Sequence, residues 1–414
     1  MLPEKADVLI VGAGPAGLAA GLELKRLGIQ DVRLVEREAV AGGIPRLCHH
    51  TGFGLGDLRR IFSGPEYARR YRELASAAGL TIHTETTVTG WNQALQAEIT
   101  SPHGVGTLSA KAVLLATGVR ERPRSARLVP GTRPQGVFTT GSLQRFVFEQ
   151  QLPVGKRAVI VGAETVSLSV VLTLQQAGVS VVGMLTELPR HQVYFPFLPV
   201  KWLFADLLGR VPLKVNSHVT QIFGHQRVEG LEFENTESGR METLACDAVI
   251  FTGGWIPEHE MARKAGLELS PASLGPQVDP AFRTSRTGFF AAGNLLRGAE
   301  TADWSALEGQ RAALFIREYL QTKRWPDQTV PVQVEAPLAW AIPTLLRPDE
   351  LPASFRIRSQ AFREQTTLQI SQGGQLLFSR KFSRLPANTS INLPVDWIRH
   401  ISLSDKPIRL AVQP

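Results

Sequence analysis

Apolar positions open the chain in an unbroken run. Asp7-Val8-Leu9-Ile10-Val11 has the continuous pattern of a central parallel strand, which is covered on both faces. Gly12-Ala13-Gly14-Pro15-Ala16-Gly17 breaks the run, and Leu18 to Leu27 follows with helical character, stopped by Gly28. A second strand, Val32 to Val35, ends at Glu36, so this stretch predicts a compact βαβ unit. Residues 65–79 predict a helix, and short alternating strands run on to about Ser109. Ala112 to Ala116 is another buried strand, ending in Thr117-Gly118.

The pattern then repeats. Arg157 to Gly162 opens a second βαβ unit, with a helix over Val166 to Ala177 and a strand over Ser180 to Met184. Asp247 to Gly253 echoes the earlier strand that ends in Thr-Gly. Two such half-repeats predict two Rossmann-like domains, the second inserted into the first. The chain returns to the first near Phe289 to Asn294, followed by a helix from about Trp304 to Leu320. Beyond Trp325, Pro326, Pro331, Pro337 and Pro343 punctuate a linker. Alternating segments at 355–358 and 367–370, and a Gly373-Gly374 turn into Leu376, then predict a small β-rich domain. The expected fold is α/β. An FAD-type domain spans 1–125 and 280–324, a second dinucleotide-binding-like domain 126–279, and the β-rich domain 325–414.

Composition narrows the class. The chain has 414 residues, 43% hydrophobic and 20% charged, enough for several packed cores and too apolar for wholesale disorder. Net charge is +8. It contains no run of five basic residues and no basic stripe interleaved with aromatics, so nucleic acid is not an expected partner. From Trp325 onward ten Arg and Lys face seven Asp and Glu, a +3 tail that reads either as a solvated face or as a dock for an acidic partner. Two distant cysteines, Cys48 and Cys246, fit a reducing compartment. No apolar stretch of about 18 residues and no signal peptide is present, so the expected location is cytoplasmic, with no transmembrane segment. P-loop, zinc and hydrolase spacings are absent, and no metal is expected.

The glycine motif carries the chemistry. Gly12 permits the tight turn, Gly14 lets backbone approach a pyrophosphate, and Gly17 lets helix and strand pack closely. The helix mouth offers unpaired N–H groups and partial positive charge to the diphosphate. Glu36, 19 residues beyond Gly17, can accept from ribose hydroxyls. That much serves NAD as well as FAD.

The further marks Glu36-Arg37-Glu38, Gly42-Gly43, Ala116-Thr117-Gly118 and Gly288 to Asn294 resemble the two-dinucleotide-binding-domain flavoproteins, the glutathione reductase-like superfamily. A tighter likeness covers about residues 5–320. It rests on Gly42-Gly43-Ile44-Pro45-Arg46, His50, Gly52-Phe53-Gly54, Gly64 to Arg70, Ala116 to Arg124, Gly162-Ala163-Glu164 and Glu300-Thr301-Ala302-Asp303-Trp304. In these the chain resembles the FAD subunit of opine oxidase and hydrogen cyanide synthase, and of dye-linked proline dehydrogenase and sarcosine oxidase complexes. The resemblance implies FAD held by Gly12, Gly14, Pro15, Ala16, Gly17, Glu36, Arg37, Gly42, Gly43, Val88, Ala116, Thr117, Gly118, Gly293, Asn294, Thr301 and Ala302. Asn294 stands where the family usually has Asp. It implies partners too: a small-molecule substrate or electron donor, a second, amine-oxidising flavoprotein, and an iron–sulfur carrier.

The chain also departs from that pattern. No Cys follows Cys246, so the cluster that many members carry near the C-terminus has no ligands here. No CxxC or CxxxxC pair exists for a dithiol relay. In the second loop, Glu164 brings a side chain and a negative charge to where a pyrophosphate would approach, which makes NAD(P) a doubtful second cofactor. Cys48 and His50 follow the glycine pair and are the candidate catalytic residues. They read either as a thiolate–imidazole or proton-handling pair near the flavin ring, or as ordinary packed side chains. Asp303 is the expected N-cap of the last helix, whose mouth would stabilise reduced flavin. His191, Tyr194 and Phe195 are weaker candidates for lining a channel. The leading expectation is an FAD-dependent dehydrogenase subunit passing electrons from an amine, amino-acid or opine oxidising partner. A self-sufficient NAD(P)H-dependent flavin reductase and a flavin-bound scaffold protein stay open.

Overall fold

A computed structural model describes residues 5–92, 95–195, 197–404 and 406–413. The opening apolar run becomes the strand Lys5–Val11, fully covered from Val8 to Ile10. It pairs in parallel with Val32–Val35 on one side and Gly104–Leu115 on the other. Across the sheet the order is Thr81–His83, Val32–Val35, Lys5–Val11, Gly104–Leu115, Gln96–Ser101, Thr87–Asn92, and Phe289–Ala291 also pairs with Gly104–Leu115 in parallel. The last two strands in the row are antiparallel, so Gly104–Leu115 closes a meander at one end and serves the parallel sheet at the other. Helices α1 (Pro15–Arg26), α2 (Gly64–Ala77) and, late in the chain, Ala302–Thr322 bury their apolar stripes on one face, around Ile10, Leu34, Leu114 and Phe290.

Two compact units divide the chain. One holds the described residues up to Arg46, with Thr51–Arg120 and everything from Ile256 on; the other holds Leu47–His50 and Glu121–Trp255. The second unit has its own parallel sheet, ordered Val137–Thr139, Ala248–Phe251, Arg157–Val161, Ser180–Leu185, Leu213–Lys214. Its helix, α3 (Thr165–Gln176), sits within the repeated βαβ pattern, and a three-stranded antiparallel sheet follows.

The C-terminal strands form two sheets, one of five strands and one of three, around a core that includes Val330, Phe355, Ile357, Ile370 and Leu410. Along Arg363–Gln372, residues 366, 368, 370 and 372 are buried in strict alternation. Gly373 and Gly374, at φ +58° and +91°, supply the two left-handed positions of the hairpin turn that follows. The proline-punctuated stretch expected as a linker contains two strands instead, Val330–Val334 and Leu338–Ile342. Pro337 and Pro343 lie just outside the ends of Leu338–Ile342, so neither removes a hydrogen bond from it.

These strands belong to the first unit rather than standing apart. A bulge between Leu338 and Trp340 turns Leu338 and Ala341 toward the two-sheet core. Trp340 and Ile342 then point into the core around Leu9, Val113, Phe289 and Leu295. Trimming one methyl there, Ile342→Val, is expected to cost about 0.5–1.5 kcal/mol in a denaturant melt, against no loss if the strand lay on solvent.

Candidate functional site

The glycine loop is built at backbone contact. Gly12 sits at φ +102°, and a Cβ there would lie 2.5 Å from the Ala116 carbonyl oxygen; one on Gly17 would overlap the Gly12 carbonyl. Gly14 differs, with φ −81° and Gly43 Cα, 3.9 Å from a would-be Cβ, as its one neighbour. Gly43 in turn has φ +63° and no room for a side chain against Gly14, while Gly42 N–H donates to the Ala13 carbonyl at 2.8 Å. Two glycine loops therefore meet main chain to main chain at the mouth of α1. That helix starts at Pro15 with no side-chain cap and no acid in its first turn, which leaves its end open to an anion.

Glu36 ties the turn to the second strand. Its carboxylate accepts from Ala13 N–H at 2.8 Å and Glu38 N–H at 3.0 Å, and it is buried. Those two bonds leave lone pairs for the hydroxyls of a ribose. Arg37 beside it is exposed. Val88 packs its side chain into the core with Leu9 and Val11, two residues after Thr86, whose N–H donates to the Glu36 carbonyl at 2.8 Å.

Of the other predicted residues, Ala116, Thr117 and Gly293 pack against the glycine loop or the start of α1. Ala116 N–H donates to Val11 O at 2.9 Å, Thr117 Oγ1 donates to Glu258 O at 2.7 Å, and Gly118 O accepts from Glu258 N–H. Gly293, at φ +77°, lies so close to Ala16 that its Cβ would come within 2.8 Å of the Ala16 methyl. Asn294 Oδ1 accepts from Glu300 N–H and Ser305 Oγ, both at 3.0 Å, so its carboxamide oxygen fixes the Gly298–Thr301 loop. The uncharged side chain meets that demand as an aspartate would.

The helix that follows, α4 (Ala302–Thr322), is capped by Thr301, whose Oγ1 accepts from Trp304 N–H. The cap expected at Asp303 is thus displaced by two residues. Asp303 instead reaches across to accept from Gly54 N–H and Gly56 N–H, both at 2.8 Å. Asp303→Ala is expected to free that loop and cost about 1–3 kcal/mol of unfolding free energy, with Asp303→Asn intermediate.

Cys48 and His50 belong to the second unit. Cys48 Sγ donates to Gln144 Oε1 at 3.8 Å, and Gln144 Nε2 donates on to Ser169 Oγ at 2.8 Å. Burial pushes the thiol up to about 12, so Cys48 is a neutral donor at physiological pH. His49 stacks on Phe148 with ring centres 3.9 Å apart. Burial likewise pushes Cys246 up to about 12. His191 is half-buried and lines a small cavity with Ala163, Leu168 and Met184, whereas Phe195 is exposed.

The second loop corrects one electrostatic expectation. Glu164 is half-buried with its carboxyl Oε1 covered, and burial, the largest influence on it, raises its pKa. Coulomb repulsion of a phosphate is therefore weakened; what remains is bulk. The carboxyl lies against Thr252 in the space over Gly162 and Gly253, with Oε1 lacking any hydrogen-bond partner. Among the described residues no group of His, Cys, Asp and Glu is placed to hold a metal.

The signature described as pyridine nucleotide-disulphide oxidoreductase matches residues 6–309. The chain belongs to that family. It is an FAD-dependent oxidoreductase, and the glycine cradle with Glu36 fits the dinucleotide part of FAD. Within the family it is 29% identical over 341 residues to an opine oxidase subunit of Rhizobium meliloti, covering 76% of this chain and 63% of that one. It is 27% identical to the alpha subunit of sarcosine oxidase from Rhizobium meliloti (strain 1021), covering 72% and 28%. Thioredoxin reductase of Streptomyces clavuligerus is 28% identical, covering 76% and 94%. The chain thus spans about two thirds or less of the opine and sarcosine oxidase subunits it matches. Among solved structures, T. acidophilum thioredoxin reductase shares the fold with a TM-score of 0.64 at 21% identity, covering 76% of this chain and 99% of that one. L-proline dehydrogenase from P. horikoshii does so with a TM-score of 0.55 at 19% identity, covering 76% and 55%.

Proposed function

We propose that the chain is the FAD-carrying subunit of a multi-component dehydrogenase that oxidises an amine, amino acid or opine. Its electrons come from a second flavoprotein subunit, which oxidises the amine, and leave to an acceptor or an iron–sulfur carrier. Bound FAD supplies the redox chemistry; the residues of this chain bind and orient it. Gly14 and the mouth of α1 hold the diphosphate, Glu36 the ribose, and the first turn of α4 lends its positive end to the flavin.

The observation that carries this reading is Glu164. Its side chain fills the loop where a nicotinamide dinucleotide would lay its pyrophosphate, which favours electron entry from a protein partner over NAD(P)H. The likeness to the opine oxidase and sarcosine oxidase subunits supports the same reading. Strands Val330–Val334 to Ile408–Gln413 contain no cysteine, so these strands offer no thiolate for an iron–sulfur centre. Among the described residues no helix is long and apolar enough to cross a membrane, and two buried free thiols fit a cytoplasmic setting.

Affinity purification from the native source, followed by absorption spectra, tests the proposal. The expected result is a yellow preparation that bleaches on adding an amine or amino acid only when a second subunit has co-purified. Bleaching of the isolated chain by NADH or NADPH would overturn it in favour of a self-sufficient reductase.

A further inference from the structure

Beside the start of α4 the first unit holds a cluster of arginines and glutamates, joined to the FAD cradle through the Gly293 N–H. Glu308 accepts from Arg297 Nη2 at 2.5 Å through Oε1 and from Gly293 N–H at 3.1 Å through Oε2. Glu300 accepts from Arg358 and from Ser390 Oγ. Two carboxylates are thereby matched with two arginines, and a third arginine is left over. Arg356, on the strand Phe355–Ser359, is only 9% exposed, and its Nε is buried with no hydrogen-bond acceptor among the described residues. Its guanidinium carbon lies over the Trp304 ring, 3.4 Å from the ring centre. Arg297, 4% exposed, also keeps Nε and Nη1 without acceptors.

A largely buried guanidinium with no carboxylate bonded to it loses hydration and gets little back from a ring face. The guanidinium plane, once stacked, presents its N–H edge as a fork that matches two oxygens of one anion. We infer that Arg356, with Arg297 beside it, forms a binding site for an oxyanion, the carboxylate or phosphate group of a small molecule. Arg297, Arg356 and Arg358, with Arg311 nearby, outnumber Glu300 and Glu308 and leave room for at least one more negative charge. Burial lowers the pKa of Arg356, and Arg297 and Arg311 oppose its charge while Glu300 and Glu308 support it. The site lies on strand Phe355–Ser359 and the first turn of α4, so the C-terminal strands supply its anchor. This inference stands independently of the proposed dehydrogenase role.

The test uses the full-length FAD-loaded protein in chloride buffer at fixed ionic strength. Succinate, L-glutamate and inorganic phosphate are titrated separately by calorimetry, with thermal melts alongside. One of them is expected to bind saturably, and Arg356→Gln to weaken that binding at least about tenfold. Binding of either carboxylate identifies a small-molecule acid as the ligand; binding of phosphate alone identifies a phosphate ester or the free ion. In the same chloride buffer without probe, Arg356→Gln should melt no lower than wild type, because it removes an unmatched charge, whereas a purely structural arginine predicts a lower melt. Arg356→Lys, which keeps the charge but not the fork, gives the same binding comparison should the glutamine variant fail to fold. No saturable binding of the three probes, or equal binding by the variants, overturns the site. So does a response confined to FAD-free protein, which would assign the arginine to the cofactor.

Discussion

Gly14→Val is expected to yield a colourless protein that still folds. The backbone at Gly14 has φ −81°, which any residue adopts, and a Cβ there would find its nearest neighbour, Gly43 Cα, at 3.9 Å. The fold therefore has no objection to the substitution. A dinucleotide does, because the added methyls stand over the open N–H groups at the mouth of α1, where a diphosphate must come within hydrogen-bonding distance. A loss of at least about a hundredfold in FAD affinity, or about 3 kcal/mol, follows. Gly17→Ala is the control with the opposite outcome: its Cβ overlaps the Gly12 carbonyl, so it should cost folding itself. Circular dichroism and visible absorption of the two purified variants separate the cases. Retained yellow colour in Gly14→Val would remove the basis for placing the diphosphate here.

What the sequence disclosed was local. The apolar run into Gly12, the spacing to Glu36 and the return at Phe289 are each set by neighbours within a strand–turn–helix, and the structure has them in those places. What stayed hidden depends on partners far along the chain. Thr301 and Asp303 are both good capping residues, and nothing near them says that Gly54 and Gly56, some 250 positions earlier, take the aspartate. Cys48 stands five residues after Gly43, which suggested the flavin, but Gln144 and Ser169 claim its segment for the second unit. Arg356 and Trp304 are 52 residues apart, in segments expected to belong to different domains. Only the bulge that turns Trp340 and Ile342 into the core of the first unit makes them part of one body. The one available hint was Glu308, an acid on the apolar stripe of α4 between Ala306 and Ala312, which called for a buried cation.

Glu164 was legible as an obstacle but not as one whose pKa burial raises, and its titration gives the second large effect. Burial raises its pKa in the folded protein above the ordinary carboxylate value of 4.5. The folded state then binds more protons than the unfolded chain between those two values, so stability is greatest at low pH and falls as pH rises from about 4.5 toward the folded value. The decline approaches about 1.4 kcal/mol for each pH step while one proton is at issue, and levels off above it. Glu164→Gln keeps the shape and removes the titration. Its unfolding midpoint should still decline over that window, because burial raises Asp279 and Glu350 as well, but less than that of the wild type; parallel curves would show that the Glu164 carboxyl is not buried as described. Because glutamine keeps the bulk, it should leave the protein as unresponsive to NADPH as the wild type. Glu164→Gly empties the space over Gly162 and Gly253 while preserving a residue acceptable at the start of α3. If bulk alone excludes the dinucleotide, only this variant gains bleaching by NADPH. Equal indifference of all three proteins would mean that the buried Ser167, where the loop lacks its last glycine, closes the site as well.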